Sequence, residues 1–344
     1  MTSKVISVSS DDSTYYTLPG STGDLNYEGS TEDDSVFGTS FSSSQPTLVS
    51  WTGSANAYYK GLAGYTADFY KSGTATAMTG EAMSQVTGQV YQVTDSAKRT
   101  LDYNNTITVY DGVTDVTAQV ESYDHLFGRI TFLGAYSVVG SITIDAYYLP
   151  LAAVGTARDF TLSMTAEAVD TTDFATTQAN GGFMTYISGL KTVSIDASGF
   201  YASANGFKDL VTGQSELIVS INPDGSNLST ARGYFKAVST GQSGDNGGNE
   251  EETITFELSV PDDSTVVVPF KWLHESTSTL STAVQKVLTA WQDGTTLYYK
   301  YLSDGTNGYK GSTVVTDCSL STAVDGINEF SVSVQGTGAT TAVP

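Results

Sequence analysis

The chain of 344 residues has few of the side chains that carry covalent or metal chemistry. It contains one cysteine, Cys318, and two histidines, His125 and His274. A single cysteine excludes an internal disulfide and a zinc site built from cysteines. The two histidines are too few and too far apart in the sequence to define a metal site or a catalytic triad. Because Cys318 shares the apolar side of a predicted strand with Val314 and Leu320, we predict a buried core thiol.

Basic side chains are also scarce. Fifteen Lys and Arg residues stand against 37 Asp and Glu residues, which gives a formal net charge of −22. A protein that grips DNA through its phosphates needs clustered Lys and Arg, and here these residues are scattered. The composition therefore argues against DNA binding and fits a surface that stays in solution or repels a polyanion.

Long apolar runs and known catalytic motifs are missing as well. No run approaches 18 apolar residues, and the first residues lack the apolar core of an export signal, so we expect neither a membrane span nor secretion. Motifs of nucleotide-binding loops and of nucleophile elbows do not occur. Carboxylate pairs such as Asp33/Asp34 and Asp262/Asp263 lie in turn-like contexts. We expect no enzyme activity, no cofactor and no metal site.

The residues that are abundant favour β-structure. Thr and Tyr suit pleated surfaces, and a content of 39% hydrophobic and 11% aromatic residues argues against disorder of the whole chain. Several segments alternate between apolar and polar residues, as half-buried strands do. The residues predicted to point inward are Phe160, Leu162, Met164 and Ala166, then Val193, Ile195 and Ala197, then Leu217, Val219 and Ile221, and finally Ile254, Phe256, Leu258 and Val260.

The secondary structure of the C-terminal part is the easiest to predict from the sequence. Apolar residues at helical spacing predict an amphipathic helix over 280–292, with Ser and Thr before it as N-cap candidates and Gly294 as the stop. The residues that carry this spacing are Leu280, Ala283, Val284, Val287, Leu288 and Trp291. Strands are predicted to follow at 297–302, 314–320 and 330–335. The segment is therefore predicted to be one helix packed on β-structure.

The first half is predicted to contain strands at 89–93, 106–110, 116–120, 128–133 and 141–148, with one helical turn near 95–101. Residues 1–50 are polar and rich in turn signals, which fits either a disordered tail or an extended arm that becomes ordered against neighbouring subunits. The aromatic residues in this segment favour the arm. The predicted domains are therefore an arm at 1–50, an additional β-rich domain at 51–157, and a β-sandwich domain at 158–344 with a helix at 279–293.

Three segments resemble the major tail tube proteins of long-tailed (siphovirus-like) bacteriophages. Residues 316–320 and 325–338 look like the last two strands of that fold, 160–173 looks like the strand that leads to the family's Asp-x-Thr segment, and 189–199 looks like the strand after it. The helix at 280–292 is placed as the family places its packed helix. The resemblance covers roughly 158–340 and implies a mainly β fold: a tail-tube-type sandwich or barrel subunit with one packed α-helix, plus an extra N-terminal β-rich region.

The resemblance also implies a function. Members of this family are structural virion proteins that are made in the host cytoplasm and self-assemble into hexameric rings, which stack into the tail tube through which DNA is ejected. The implied partners are other copies of the chain, the tail tip or terminator protein and the tape-measure protein, whereas DNA passes through without specific binding. Residues 51–157 exceed a simple tube subunit. They are either an outer decoration or a second tube-like module that makes rings of three chains rather than six.

Outward alternation gives candidate residues for the wall of such a tube. The candidates for the lumen lining are Thr161, Glu167, Asp196, Thr255 and Glu257. The arm and the Gly-rich loop 241–252 supply candidates for contacts between rings. These candidates are Tyr15, Tyr16, Leu18, Phe37, Phe41, Asp245, Asn246 and Glu250.

Two alternatives remain at this point. A surface β-sandwich that binds glycans would use the 21 tyrosines and surface amides for sugar stacking, although no export signal or disulfide accompanies them. The tube protein of a contractile tail or of a secretion system would share the same fold.

Overall fold

The structure is a computed structural model, and it describes residues 4–34, 44–59, 66–157, 159–173, 182–198, 208–214, 216–222, 229–243, 251–260, 268–274, 280–322 and 328–344. Within these ranges lie 23 strands and two α-helices. The strands are β1 (Val5–Ser9), β2 (Tyr16–Thr17), β3 (Thr22–Asp33), β4 (Ser44–Tyr59), β5 (Thr66–Ser72), β6 (Thr76–Thr87), β7 (Val90–Val93), β8 (Thr108–Asp111), β9 (Thr114–Asp115), β10 (Val120–Asp124), β11 (Arg129–Phe132), β12 (Ile142–Tyr148), β13 (Leu151–Ala157), β14 (Asp159–Asp170), β15 (Tyr186–Ser198), β16 (Glu216–Asn222), β17 (Ser229–Ser243), β18 (Glu251–Leu258), β19 (Phe270–His274), β20 (Leu297–Leu302), β21 (Gly308–Thr322), β22 (Asn328–Gly336) and β23 (Thr341–Val343). The helices are α1 (Lys208–Gly213) and α2 (Thr282–Asp293).

Sixteen strands form one main antiparallel sheet. Its principal order is β13-β5-β16-β17-β18-β15-β14-β21-β20-β1-β2. The long strand β21 is a branch point, because β14 and β20 pair along one of its edges while β22 and β23 pair along the other. The order continues from β22 to β4 and then to β3. The fold is therefore mainly β with one packed helix, as the sequence predicted.

The main sheet wraps around a single hydrophobic core. Nearly every strand of the sheet contributes buried side chains to this core, and so does helix α2. All six apolar positions that predicted this helix are buried. Ser281 caps the helix by accepting a hydrogen bond from the Val284 amide, and Gly294 ends it at φ 68°. The helix covers β1, β19 and β21.

A smaller sheet occupies 76–148. Its order is β10-β11-β7-β6-β12-β8-β9, and it has its own core around Leu101, Val109, Ile130, Phe132 and Ile144. The chain leaves the main sheet after β5 and returns to it at β13, so this small domain is an insertion. The boundaries differ from the predicted 51–157, because β4, β5 and β13 pair within the main sheet.

Most predicted strands are present, and two local predictions are wrong. Residues 116–120 were predicted as a strand, but Thr117–Gln119 form a 3-10 turn because the Asp115 carboxylate accepts hydrogen bonds from the Thr117 amide and hydroxyl. Val260 was predicted to point inward, but β18 ends at Leu258 and Val260 is 56% exposed. The predicted helical turn near 95–101 is a 3-10 turn at Ser96–Lys98.

The N-terminal segment is a structural part of the main sheet. Strand β1 lies between β2 and β20, and Ile6, Val8 and Leu18 are fully buried in the core. The β-branched run Val5-Ile6-Ser7-Val8 carries the signal for this strand, which the turn-rich composition around it conceals. Residues 5–18 therefore do not form an extended arm.

Two sequence predictions, on the cysteine and on membrane spans, can be compared with the described residues. Cys318 is fully buried, as predicted, and burial raises the pKa of its thiol. In the part of the chain that the structure describes, neither helix has the length and apolar character that a membrane crossing requires.

Candidate functional site

The outer side of six neighbouring strands forms one polar surface. These strands are β18, β15, β14, β21, β22 and β4, and their inward residues fill the core while their outward residues face solvent. We call this surface the polar face. Its residues are Glu257, Thr255, Asp196, Ser194, Thr192, Thr161, Ser163, Thr165, Glu167, Asp317, Ser319, Ser321, Glu329, Ser331, Ser333, Ser54, Asn56 and Tyr58.

Strand register aligns these residues into rows that cross the sheet. One row contains Thr255, Asp196, Thr161, Ser321 and Glu329, each directly opposite the next. With strands about 4.8 Å apart, this row extends about 19 Å across the sheet. The next row continues the same chemistry with Glu257, Ser194, Ser163, Ser319, Ser331 and Asn56.

The side chains of the polar face are held by hydrogen bonds between neighbouring strands. Thr255 Oγ1 donates to Asp196 Oδ1 at 2.7 Å, and the Ser319 and Ser331 hydroxyls are 2.7 Å apart. The Thr165 and Thr192 hydroxyls are 2.6 Å apart. These contacts fix short polar side chains in place across neighbouring strands.

The residues of the polar face include five carboxylates and no Lys, Arg or His. The nearest lysine on these strands is turned away: Lys191 lies on the helix side of β15, where its Nζ donates to the Gln292 carbonyl at 2.9 Å and stands over the Trp291 ring. Lys236 on β17 is opposite Glu257 and marks the border of the face. The face therefore presents a negative field to anything that lies against it.

Asp317 lies near the centre of the polar face and is partly buried. Burial raises the pKa of its carboxyl above the ordinary 3.8, so the charged form is less stable in the folded chain than in the unfolded chain. This cost is absent below about pH 3.8, where both states are protonated, and it is complete once the pH exceeds the folded pKa.

Replacing Asp317 by Asn is expected to raise the free energy of unfolding at neutral pH, because the amide carries no charge to desolvate. The gain should shrink as the pH falls and vanish near pH 3. Urea unfolding followed by circular dichroism across this range measures it. The exposed Asp196→Asn serves as the control and should show no such gain, whereas equal pH profiles for wild type and Asp317→Asn would contradict this account.

The structure places the five lumen candidates on one surface. Thr161, Asp196, Thr255 and Glu257 lie on three adjacent strands, and the first three line a shallow groove of about 400 Å³. Glu167 is exposed farther along β14, where the pairing with β15 is bulged. Their role as a lumen lining stays a prediction.

Three of the candidates for contacts between rings belong to the described residues. Leu18 is buried in the core and offers no surface to a neighbour. Tyr15 donates a hydrogen bond to Asp12 and lies 4.2 Å beneath the Lys300 ammonium, and Tyr16 packs against the core. These residues are therefore engaged within their own chain. The remaining candidates lie outside the described residues: Phe37, Phe41, Asp245, Asn246 and Glu250.

The two-stranded ribbon of β3 and β4 is a better candidate for such a contact. Every residue from 26 to 33 is exposed, although Tyr27 contacts Tyr309. The base of the ribbon is held where the Val49 amide donates to the Gly182 carbonyl and the Met184 amide donates to the Val49 carbonyl, both at 2.9 Å. We call residues 26–34 and 44–50 the ribbon.

The alternation of the C-terminal strand predicts that Ser331 and Ser333 face outward, as they do on β22, whereas sequence reasoning missed the part of the polar face on β4. The inward residues of β4 beyond Trp51 are Gly53, Ala55 and Ala57, so the alternation with Ser54, Asn56 and Tyr58 has little hydrophobic contrast. The pairing of β4 with β22 joins segments about 270 residues apart. Alternation in 51–58 is the signal that could have found this strand.

Comparison of the chain with known proteins assigns it to no family. A scan against models of protein families finds no match to the chain, and a search of curated proteins finds none that is similar.

Proposed function

We propose that this chain is a structural subunit that assembles with copies of itself into rings, and that the rings stack into a tube through which DNA passes, as in phage tails. The observation that carries the proposal is the polar face, a continuous surface across six strands with carboxylates and hydroxyls and no cationic side chain among its residues. An ordinary solvated sheet surface mixes both signs of charge. A surface whose only charged side chains are negative suits a passage for DNA, which must move along it without binding.

The electrostatics of a conduit support this use of the face. Phosphates are held by Lys and Arg because bound counterions are released. A wall of Asp196, Glu257 and Glu329 with intervening hydroxyls releases none, and it repels phosphates within a Debye length of about 8 Å at physiological salt. DNA next to such a wall slides without a binding site.

The ribbon supplies a contact for assembly. An isolated two-stranded ribbon is marginally stable in water, and unpaired strand edges readily pair with another chain. A neighbouring subunit that packs on the ribbon would cover residues 26–33. Head-to-tail contacts of this kind close into rings or continue as helical filaments.

The small domain leaves the polar face open. It joins the main sheet through a cluster of Leu126 and Phe127 with Ile218 on β16 and Tyr234 on β17. These strands precede β18 in the sheet order, so the insertion covers the part of the sheet beside the polar face. This arrangement suits an outer decoration better than an obstruction of a lumen.

Shortening the ribbon tests the proposal. Thr31 and Pro46 are opposite each other in β3 and β4, so residues 32–45 can be replaced by Asn-Gly, which forms a two-residue hairpin turn. We expect the wild type to form large assemblies in sedimentation velocity and the shortened variant to remain monomeric with an unchanged circular dichroism spectrum.

The matched control keeps the ribbon length and replaces residues 32–45 by a flexible Gly-Ser segment of equal length. If the shortened variant assembles like the wild type, the ribbon is not the contact.

If the wild type stays monomeric at all concentrations and is retained on a polysaccharide column, the glycan-binding alternative replaces the tube. Among the exposed tyrosines of the described chain, Tyr27 and Tyr309 pack together edge to face at 6.2 Å, the arrangement that alternative would use.

A further inference from the structure

A polar cavity of about 430 Å³ lies between the small domain and the main sheet. The small domain contributes Gln92, Arg99, Phe127 and Arg129 to its lining, and the main sheet contributes residues of β5, β16, β17 and β19. Ligand-binding cavities usually enclose 300–1,000 Å³ and often lie between domains. The volume and the position of this cavity between the two parts of the chain fall within that description.

Arginine is concentrated in this cavity. The chain has four arginines, Arg99, Arg129, Arg158 and Arg232, and three of them line this one cavity. The eleven lysines of the chain do not contribute to its described lining. A guanidinium presents a planar set of donors that matches the oxygens of a phosphate or carboxylate, whereas an ammonium does not.

Arg232 is positioned by the small domain although it lies on β17. One of its terminal nitrogens donates to the Leu126 carbonyl at 2.8 Å, and its guanidinium stands 5.0 Å from the centre of the Phe127 ring. Its buried Nε has no hydrogen-bond partner among the described residues. A buried donor of this kind is costly unless a ligand or water satisfies it.

Arg99 reaches the same cavity from the other side. Its Nε donates to the Val93 carbonyl at 2.9 Å, which anchors the side chain beside the 3-10 turn of the small domain. Burial lowers the pKa of Arg232, Asp124 raises it, and the positive charge of Arg99 adds a smaller lowering. Arg99 and Arg232 thus line one cavity from its two sides, and an anion between them would be attracted by both.

The negative charges near the cavity are already engaged by other groups. Asp68 is the one carboxylate among the described lining residues, and it accepts hydrogen bonds from the Thr66 and Thr156 hydroxyls. Asp124 also faces Arg232 from the small domain, and its Oδ2 is 2.9 Å from the Lys271 ammonium. The described lining thus contains three arginines and one carboxylate, in a chain of net charge −22.

We infer that this cavity binds a small oxyanion of the phosphate class, held between Arg99, Arg129 and Arg232. The Ser220 hydroxyl and the Asn222 amide line the main-sheet side and can donate further hydrogen bonds to its oxygens. Thr230 donates its hydroxyl hydrogen to Asn222 Oδ1 at 3.1 Å. Because the arginines come from both parts of the chain, the bound anion ties the small domain to the main sheet. This inference does not depend on the proposed tube.

Inorganic phosphate tests the inference on the full chain. At constant ionic strength, replacing chloride by phosphate is expected to raise the melting temperature of the wild type, because a ligand that binds only the folded state stabilises it. Isothermal titration with phosphate should show one site per chain. In Arg99→Gln with Arg129→Gln, the affinity should fall by at least about tenfold, because two guanidinium groups that donate charge-assisted hydrogen bonds to the anion are lost.

The matched control is Lys71→Gln with Lys236→Gln, which removes the same charge outside the described lining and should bind phosphate like the wild type. Circular dichroism checks that both double variants are folded. The inference is overturned if phosphate stabilises the wild type no more than chloride does, or if the Arg99/Arg129 variant binds phosphate as tightly as the control. Neither result would bear on assembly into rings.

Discussion

Replacing Trp51 by Ala is expected to lower the free energy of unfolding by about 3–5 kcal/mol, the range for removing a large buried aromatic side chain. Trp51 is 2% exposed, and its indole Nε1 donates to the Gly338 carbonyl at 2.8 Å. The side chain joins β4, near the start of the chain, to the segment that follows β22. Its removal leaves a cavity and an unpaired carbonyl at this junction.

Two glycines beside the Trp51 indole allow a second test of its packing. A Cβ added at Gly336 would lie 2.1 Å from the Trp51 ring, and one added at Gly311 would lie 2.6 Å from it. Gly336→Ala should therefore destabilise the wild type by about 1–3 kcal/mol through overpacking. In the Trp51→Ala background the same substitution should cost much less, because the ring that it meets is gone.

Urea unfolding followed by far-ultraviolet circular dichroism measures these effects at one fixed protein concentration. Tyr58→Ala on the same strand is the control, since Tyr58 is 48% exposed, and its effect should stay below about 1 kcal/mol. Additive costs for Trp51→Ala and Gly336→Ala would show that the indole does not fill the space that these glycines leave.

The second large effect is expected from reversing charge on the polar face. Asp196→Lys, Glu257→Lys and Glu329→Lys together place three cations on one wall. We expect this variant to bind double-stranded DNA where the wild type does not. Its affinity should fall with salt, with a slope of about −0.9 for each phosphate that is neutralised. Fluorescence anisotropy with labelled DNA over a range of salt concentrations measures both quantities.

A matched variant separates the polar face from net charge. Glu32→Lys, Glu121→Lys and Asp293→Lys change the charge by the same amount at exposed positions elsewhere on the chain. This variant should bind DNA more weakly than the polar-face variant, because its three cations do not share one surface. Equal binding by the two variants would show that the arrangement of charge on the polar face has no special role.

The sequence predicts the local structure of the second half of the chain well. Helix 280–292 and the strand at 297–302 follow from spacing alone, because their apolar periodicity matches the faces that the core buries. The outward positions Thr161, Asp196 and Thr255 follow from the same alternation. What alternation cannot give is which strands become neighbours.

Long-range pairing explains most of the differences. β1 lies beside β20, and β4 lies beside β22. Such contacts depend on the complementarity of whole faces rather than on local propensity. The cavity between the domains was missed for the same reason, since Arg99, Arg129 and Arg232 are scattered in sequence and meet only through the insertion. The even spread of basic residues along the chain therefore hides a local concentration of arginine.

Electron microscopy of the purified wild-type chain at increasing concentration tests the central claim most directly. The account predicts rings or tubes with an open lumen, and at sufficient resolution Thr161, Asp196, Thr255 and Glu257 should line that lumen. Particles that remain single chains at every concentration, or tubes whose polar face is turned away from the lumen, would contradict it.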